Sequence, residues 1–286
     1  MTTASQKELV SIGLPVYNGI PFVKKAIESV LSQTYSNIEL IISDNPSTDG
    51  TQALCEEYAH KDKRVRYVRH KENIGLHANY KFPFDNSRGE YFCWVSYDDF
   101  LDIHFVEKCL ALLRDDKEAV MAMSDFVFVN DRGEITHKVD PKDYFTTERD
   151  LYLRLKRFIL MDWGGGKATA FHGLWRRAAL AHDTCRELPD GDINFVLRAL
   201  SRGPFLLVNE VLFFKGVMPG GESREHEELT FRRIVSAILF RIKLVPAYLF
   251  AMKCVAGFHR LSYAERFKLI FWNCLAAAKM FVRRKY

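Results

Sequence analysis

In the first hundred residues, four short apolar runs alternate with helical patterns, and three of the runs end in polar turns. Residues 10–14 form a β-type run. Pro21 then opens a helix with Phe22, Ala26, Ile27, Val30 and Leu31 on one face. Residues 38–42 read as a second strand, halted by Asp44-Asn45-Pro46-Ser47-Thr48-Asp49-Gly50, and a helix over residues 51–60 follows. Residues 65–68 are the third strand, Asn73-Ile74-Gly75 begins another helix, and residues 91–95 are the fourth strand, ending at Ser96-Tyr97-Asp98-Asp99. This alternation predicts a mostly parallel sheet covered on both faces by helices. Ligands of such sheets bind beyond the carboxyl ends of the strands. Residues 15–18, 44–49 and 96–99 are thereby marked as the candidate site.

Past residue 119 the pattern is less regular. Residues 120–123 and 126–129 are expected as two strands, with Asn130-Asp131-Arg132-Gly133 as a turn. A helix is expected over residues 150–160 and a late strand over residues 206–214. Trp163 to Lys167 and Gly216 to Gly221 are glycine-rich, readable as lids or as ordinary loops.

Apolar residues make up 48% and charged residues 27% of the 286, which excludes a disordered or collagen-like chain. No apolar stretch reaches the 18 or so residues of a spanning helix, and the N-terminal residues lack a signal-peptide pattern. A cytoplasmic body is expected. The cysteines at 55, 93, 109, 185, 254 and 274 show no CxxC spacing and are expected reduced and mostly buried, with no zinc site.

The net charge of +5 is unevenly spread. Residues 231–286 carry twelve Lys/Arg and one acid, a net of +11, leaving the preceding residues at −6. In this tail the bases interleave with Leu, Ile, Phe and Trp, which suits a helix lying on an anionic membrane surface. The same pattern also suits helices that pack on the body and show a solvated basic face. Nucleic acid is a poor partner, because large aliphatics are wasted on phosphates.

Each strand end has two readings. Asp98-Asp99 is an adjacent carboxylate pair of the kind that holds Mg²⁺ or Mn²⁺, or else Asp99 or Asp102 caps the helix that runs through Leu113. Asp44 stands where a side chain reads a base or ribose, or else makes an Asx turn. Pro15-Val16-Tyr17-Asn18 offers an aromatic ring and an amide beside the same cleft. Neither GxGxxG nor GxxxxGK[ST] occurs, which disfavours Rossmann and P-loop chemistry.

The ordered motifs carry a resemblance. Ser11 through Asn18, Ala26-Ile27-Glu28-Ser29-Val30-Leu31-Ser32-Gln33-Thr34-Tyr35, Glu39 through Thr51, Glu72-Asn73-Ile74-Gly75, Arg88-Gly89-Glu90-Tyr91-Phe92 and Asp98-Asp99 together resemble family 2 glycosyltransferases of the GT-A fold. The resemblance is strong over about residues 9–130 and looser over 165–220. It implies an α/β GT-A domain over residues 1–226, with a nucleotide-binding half to about residue 120 and an acceptor-binding half over 121–226. Residues 227–286 then form an amphipathic basic tail. It implies nucleotide contacts from Pro15, Tyr17, Asn18, Asp44, Asn73 and Asp98, and a divalent cation, Mn²⁺ or Mg²⁺, at Asp98 and Asp99. The first acid of the family's DxD motif is replaced by Ser96, so Asp98 and Asp99 share metal and ribose duties. His172, Trp175, Arg176 and Lys215 become diphosphate or acceptor candidates, with His172 and His226 as candidates for a further metal contact. Asp192 takes the general-base position, with Asp190 as the fallback.

The resemblance thus implies an inverting, metal-dependent transferase. It would move a sugar from a nucleotide-sugar, most readily UDP-linked, to a glycan or lipid-linked acceptor in surface polysaccharide synthesis, working peripherally on the inner membrane face. Two rivals stand beside it. A sugar nucleotidyltransferase would need a cationic loop after the first strand, where Pro15-Val16-Tyr17-Asn18-Gly19 stands instead. A non-catalytic scaffold would have no reason to keep Asp44, Asp98, Asp99 and Asp192 together.

Overall fold

A computed structural model describes residues 8–161, 169–180, 191–217 and 260–269 and Trp272, the side chains of residues 143 and 191–194 excepted. Its strands are β1 (Val10–Val16), β2 (Ile38–Asp44), β3 (Val65–Arg69), β4 (Tyr91–Trp94), β5 (Phe100–Leu101), β6 (Met121–Val129), β7 (Ile135–Lys138), β8 (Leu174–Arg176) and β9 (Phe205–Gly216). They form one sheet in the order β3-β2-β1-β4-β8-β6-β9-β5, with β7 on β6. The first four strands pair in parallel. Beyond β4 the sheet is mixed: β8 runs against both β4 and β6, while β9 runs with β6 and against β5.

Every residue of β1 and β2 is buried, as expected of strands covered on both faces. The flanking helices are α1 (Val23–Leu31), α2 (Thr51–Lys61), α3 (Leu76–Asp85), α4 (Phe105–Asp115), α5 (Pro141–Tyr144), α6 (Leu151–Leu160) and α7 (Gly191–Leu200). Helix α1 buries Val23, Ala26, Ile27 and Val30, the i, i+3, i+4, i+7 stripe. Helix α3 lies so close to β1 that a Cβ on Gly13 would stand 2.8 Å from both Pro83 and Phe92. Aromatic rings fill the space behind β4. Trp94 stacks on Phe171 at 4.3 Å, and Phe195 of α7 meets Trp94, Phe171 and Trp175 edge-on at 5.0–5.5 Å.

Three local expectations change. Pro21 lies in a turn, and α1 begins two residues later, at Val23. The two strands expected over residues 120–129 are one, β6, whose register against β9 slips at Ser124–Phe126. That irregularity breaks the alternation on which the sequence reading relied. Helix α4 is preceded by His104, with no side-chain cap from Asp99 or Asp102. Asp102 instead accepts from the His104 amide, while Asp99 points elsewhere in the fold.

Cys55, Cys93 and Cys109 are free and buried; Cys185, Cys254 and Cys274 lie outside the described residues. Of the basic tail, Leu261 and Leu269 join the core, and Lys156 of α6 sits 4.9 Å over the Trp272 ring. Tyr263 and Phe267, one helical turn apart, are exposed. Among the described residues no helix is long and apolar enough to cross a membrane.

Candidate active site

The carboxyl ends of β1, β2 and β4 lie side by side and deliver two connected groups of polar residues.

The first group centres on Asp44, the last residue of β2. It is fully buried, and both its oxygens are engaged. Oδ1 accepts from the amide and hydroxyl of Ser47, and Oδ2 accepts from the Tyr67 hydroxyl at 2.6 Å. Burial, then the bond to Asp44, pushes the Tyr67 phenol well above its ordinary range. Arg69 pairs with Asp44 in the β2–β3 register and sets its Nε 3.9 Å from Oδ2. Asp44 therefore makes the Asx-type turn and also faces a guanidinium. Tyr67 and Arg69 were not singled out from sequence. The usable signal was their place on β3, Arg69 at its end opposite Asp44 and Tyr67 two residues before it on the same strand face.

The Pro15-to-Asn18 loop is tied to the same turn. Asn18 adopts φ 51°; its amide donates to Ser47 Oγ and its Oδ1 accepts from the Thr48 amide, both at 2.9 Å. Pro15 is buried opposite Ser43, while Tyr17 is 47% exposed. Asn73 accepts from the Gly75 amide at 2.9 Å, shaping the exposed turn into α3. Behind these, Ser43 donates to Asn79 Oδ1 at 2.7 Å and lies 2.8 Å from His70 Nε2. Asn79 also donates to the Val16 carbonyl, so α3 holds the ends of β1 and β2 together.

The second group is the turn after β4. Asp98 lines a cavity of about 260 Å³ with Asp99, Phe22 and Lys25 of the α1 region, Asn130 at the end of β6, and Gly216. Burial, then the neighbouring Asp99 charge, pushes the Asp98 carboxyl up to about 6, with Lys215 opposing. Burial likewise raises Asp99, against the pull of Lys215 and the Gly216 amide. Lys25, also missed from sequence, rests 3.4 Å over the Phe100 ring, and burial lowers its pKa. Ser96, in place of the first DxD acid, lies 3.0 Å from the Tyr80 hydroxyl.

The Asp98 carboxylate, half-buried at the cavity, fits a divalent cation, whose charge would offset the burial and the Asp99 repulsion that raise it. Among the described residues no three His, Cys, Asp or Glu side chains converge on one point.

The acceptor-side candidates divide. His172 comes to the site, its Nε2 3.9 Å from Asp99 Oδ2, and Lys215 Nζ stands 4.0 Å from the same oxygen. Trp175 and Arg176 do not, which corrects the expectation. Strand β8 runs against β4, so Trp175 and Arg176 pair with Phe92 and Tyr91 at the amino end of β4, away from the acidic turn. Trp175 is fully buried and donates to the Phe171 carbonyl. The Arg176 guanidinium is spent on the carbonyls of Leu113, Asp116 and Ala119 and on the Tyr91 hydroxyl. The Asp192 backbone lies in the first turn of α7, three residues before Phe195 on the Trp94 ring. Its side chain, Asp190, His226 and residues 163–167 lie outside the described residues.

Comparisons with known proteins agree with this geometry. Residues 11–179, more than half the chain, match the model of Glycosyl transferase family 2. An uncharacterized glycosyltransferase of Rickettsia typhi is 29% identical over 78% of this chain and 65% of its own length. The chain spans between 20% and 65% of the lengths of three curated relatives it matches. Among solved structures, residues 1–349 of Staphylococcus aureus TarS with UDP-GlcNAc give a TM-score of 0.69 at 14% identity, over 93% of this chain and 72% of that one. A Pyrobaculum calidifontis mannosyltransferase with GDP-Man and Mn²⁺ gives 0.53 at 13% identity, over 96% and 74%. At those identities the likeness shows the fold, which is of the GT-A type. By its family match and its fold, the chain belongs to glycosyl transferase family 2.

Proposed function

We propose that this protein is an inverting glycosyltransferase. It takes a sugar from a nucleotide-sugar, UDP-linked, to a hydroxyl of a glycan or lipid-linked glycan, with a divalent cation at the Asp98 turn. The observation that carries this reading is the half-buried Asp98 beside the buried Asp99, in the turn after β4 on the same side of the sheet as the Asp44 turn. The TarS and mannosyltransferase structures, with UDP-GlcNAc and with GDP-Man and Mn²⁺, support a nucleotide-sugar donor.

In this reading Tyr17 stacks on the base, while Asp44, backed by Tyr67 and Arg69, holds the nucleoside. Asn18 and Asn73 keep the two loops in place around it. Asp98 is the carboxylate that would hold Mn²⁺ or Mg²⁺, which when bound neutralises charge on the departing diphosphate. Lys215 adds a fixed positive charge there. Asp192 takes the proton of the acceptor hydroxyl, as a general base must. A single displacement, implied by the resemblance to the family, inverts the anomeric centre. Residues 1–226 form the catalytic unit. The tail beyond residue 226 rests on an anionic membrane surface, a placement supported by Tyr263 and Phe267 standing exposed among Arg260, Arg266 and Lys268.

The test is calorimetric titration with UDP, GDP, CDP and dTDP, each with and without Mn²⁺, on the wild type and Asp98→Ala. Saturable, metal-dependent binding of UDP that Asp98→Ala abolishes is the expected result. Binding of another nucleotide replaces the donor class. Binding by neither protein under any condition removes the catalytic reading and leaves the scaffold.

A further inference from the structure

The two carboxylates of the acidic turn differ in their surroundings. Asp98 borders the cavity, whereas the Asp99 side chain is only 1% exposed. Asp99 Oδ1 accepts the Gly216 amide at 3.0 Å. Asp99 Oδ2 has no hydrogen-bond partner and is flanked by His172 Nε2 at 3.9 Å and Lys215 Nζ at 4.0 Å. His172 Nδ1 lies 3.1 Å from the Trp94 carbonyl oxygen, which only accepts, so Nδ1 carries the hydrogen and fixes the ring. Three segments far apart in sequence thus meet on one carboxylate: the turn after β4, the 3₁₀ turn before β8 and the end of β9.

The contact at β9 is close. A Cβ on Gly216 would stand 2.2 Å from the Asp98 carbonyl oxygen, so only glycine lets the strand end press on the turn. Lys215 and Gly216 engage opposite oxygens of the same carboxylate. Phe214, one residue earlier, stacks flat on Phe100 at 4.6 Å and fixes the strand's approach. A divalent ion on Asp99 Oδ2 would have to sit beside an ammonium 4.0 Å from that oxygen, an arrangement like charges oppose.

The geometry points to Asp99 as a positioning residue and not a metal ligand: it ties the end of β9 to the acidic turn and so sets the Lys215 ammonium beside Asp98, where a metal-bound diphosphate would meet both. This inference rests on the reading that such a diphosphate binds at Asp98. It divides the pair, with the ligand at Asp98 and the post at Asp99.

The first test needs no ligand. In metal-free protein, hydrogen exchange of the segment over residues 212–217 is followed by mass spectrometry. Asp99→Ala removes both oxygens and is expected to raise exchange there by about tenfold. Asp99→Asn keeps an oxygen for the Gly216 amide and is expected to stay near wild type. Wild-type exchange in Asp99→Ala overturns the tie. If Asp99→Ala does not fold, the similarly shaped Asp99→Leu takes its place.

The second test is a cycle of Asp99→Asn, Lys215→Met and the double variant, read by UDP affinity with Mn²⁺. Each single change is expected to weaken UDP by about tenfold and the double by no more, because both remove one charge contact. Mn²⁺ affinity at saturating UDP, read by electron paramagnetic resonance, is expected to hold within about twofold. A drop of about 10-fold or more in Asp99→Asn is what a lost ligand or its support produces, and overturns the division. Additive losses also overturn it. Absence of nucleotide binding by the wild type sinks the donor reading instead, and the exchange result still decides the tie.

Discussion

The Tyr67 hydroxyl donates to Asp44 Oδ2 across 2.6 Å, joining the middle of β3 to the end of the neighbouring strand β2. Asp44 is therefore held before any nucleotide arrives, with a phenol and a guanidinium from β3 facing its Oδ2. Tyr67→Phe leaves a buried oxygen without its donor, which costs about 1–3 kcal/mol. Urea unfolding is expected to show that loss while UDP affinity changes by less than about tenfold, since Arg69 still faces Asp44. Asp44→Ala is expected to lose nucleotide binding outright. Equal affinity in both variants would take Asp44 out of the nucleoside site.

Gly216→Ala forces a methyl group against the Asp98 carbonyl oxygen, 2.2 Å away. Backbone on one side and backbone on the other cannot yield by rotating a side chain. A destabilisation of about 1–3 kcal/mol is expected, as for other overpacked sites. Metal-dependent UDP binding should fall with it. A thermal melt and a titration on the same sample check both, and an unchanged variant would mean that the strand end moves freely off the turn.

Arg176→Ala should act on stability alone. Its guanidinium satisfies the carbonyls of Leu113 and Asp116 at the end of α4, together with that of Ala119. Leaving those carbonyls without a donor costs about 1–3 kcal/mol. UDP affinity and the KM for acceptor should stay at wild-type values at a temperature where the variant is folded. A selective rise in acceptor KM would return Arg176 to the acceptor side.

Asp192→Asn should keep UDP affinity and lose transfer by about 10²–10⁴-fold, the usual worth of a positioned base. Single-turnover rates with saturating donor measure it. Near-native turnover moves the base elsewhere, to Asp190 first.

Acid sensitivity has a separate source, at the amino ends of β1 and β2. Burial raises the Glu39 pKa, but Ser11 Oγ at 2.6 Å, the Arg88 amide at 2.7 Å and the Arg88 guanidinium at 2.9 Å more than offset it, so the net shift is downward. A carboxylate lowered on folding adds stability above its unfolded value of 4.5, and that stability is lost as pH falls through the folded value. Wild-type protein should therefore weaken on acidification below about pH 4.5, and Glu39→Gln should flatten that limb while lowering stability at pH 7. Chemical denaturation between pH 3 and 7 gives the slope. An identical slope in the variant assigns the acid sensitivity to other carboxylates.

The strand ends were legible because hydrophobic runs and polar turns are local signals. Val10, Ile38 and Tyr91 begin their strands as the pattern says, and Asp44 and Asp98 fall at the far ends. Strand direction beyond β4 was not legible. His172 and Arg176 are four residues apart in sequence, yet the antiparallel run of β8 carries Arg176 to the amino end of β4 while His172 stays by Asp99. Motif order says which residues belong to a segment, and says nothing of which end of a strand faces the cleft. Tyr67 and Lys25 escaped because an aromatic in a strand and a lysine on a helix are ordinary until a neighbour from another segment gives them a partner.

The bond from the Gly216 amide to Asp99 joins residues 117 apart in the chain. Loop-closure entropy grows only slowly with length, so the separation adds little to its equilibrium cost. Its consequence is temporal. Contacts of high sequence separation wait for the segments between them, so the acidic turn takes its final shape only once β9 has docked beside β6. A nascent chain that has emerged only through β4 already carries the residues assigned to the nucleoside, but the electrostatics of its phosphate end are unfinished until β9 arrives.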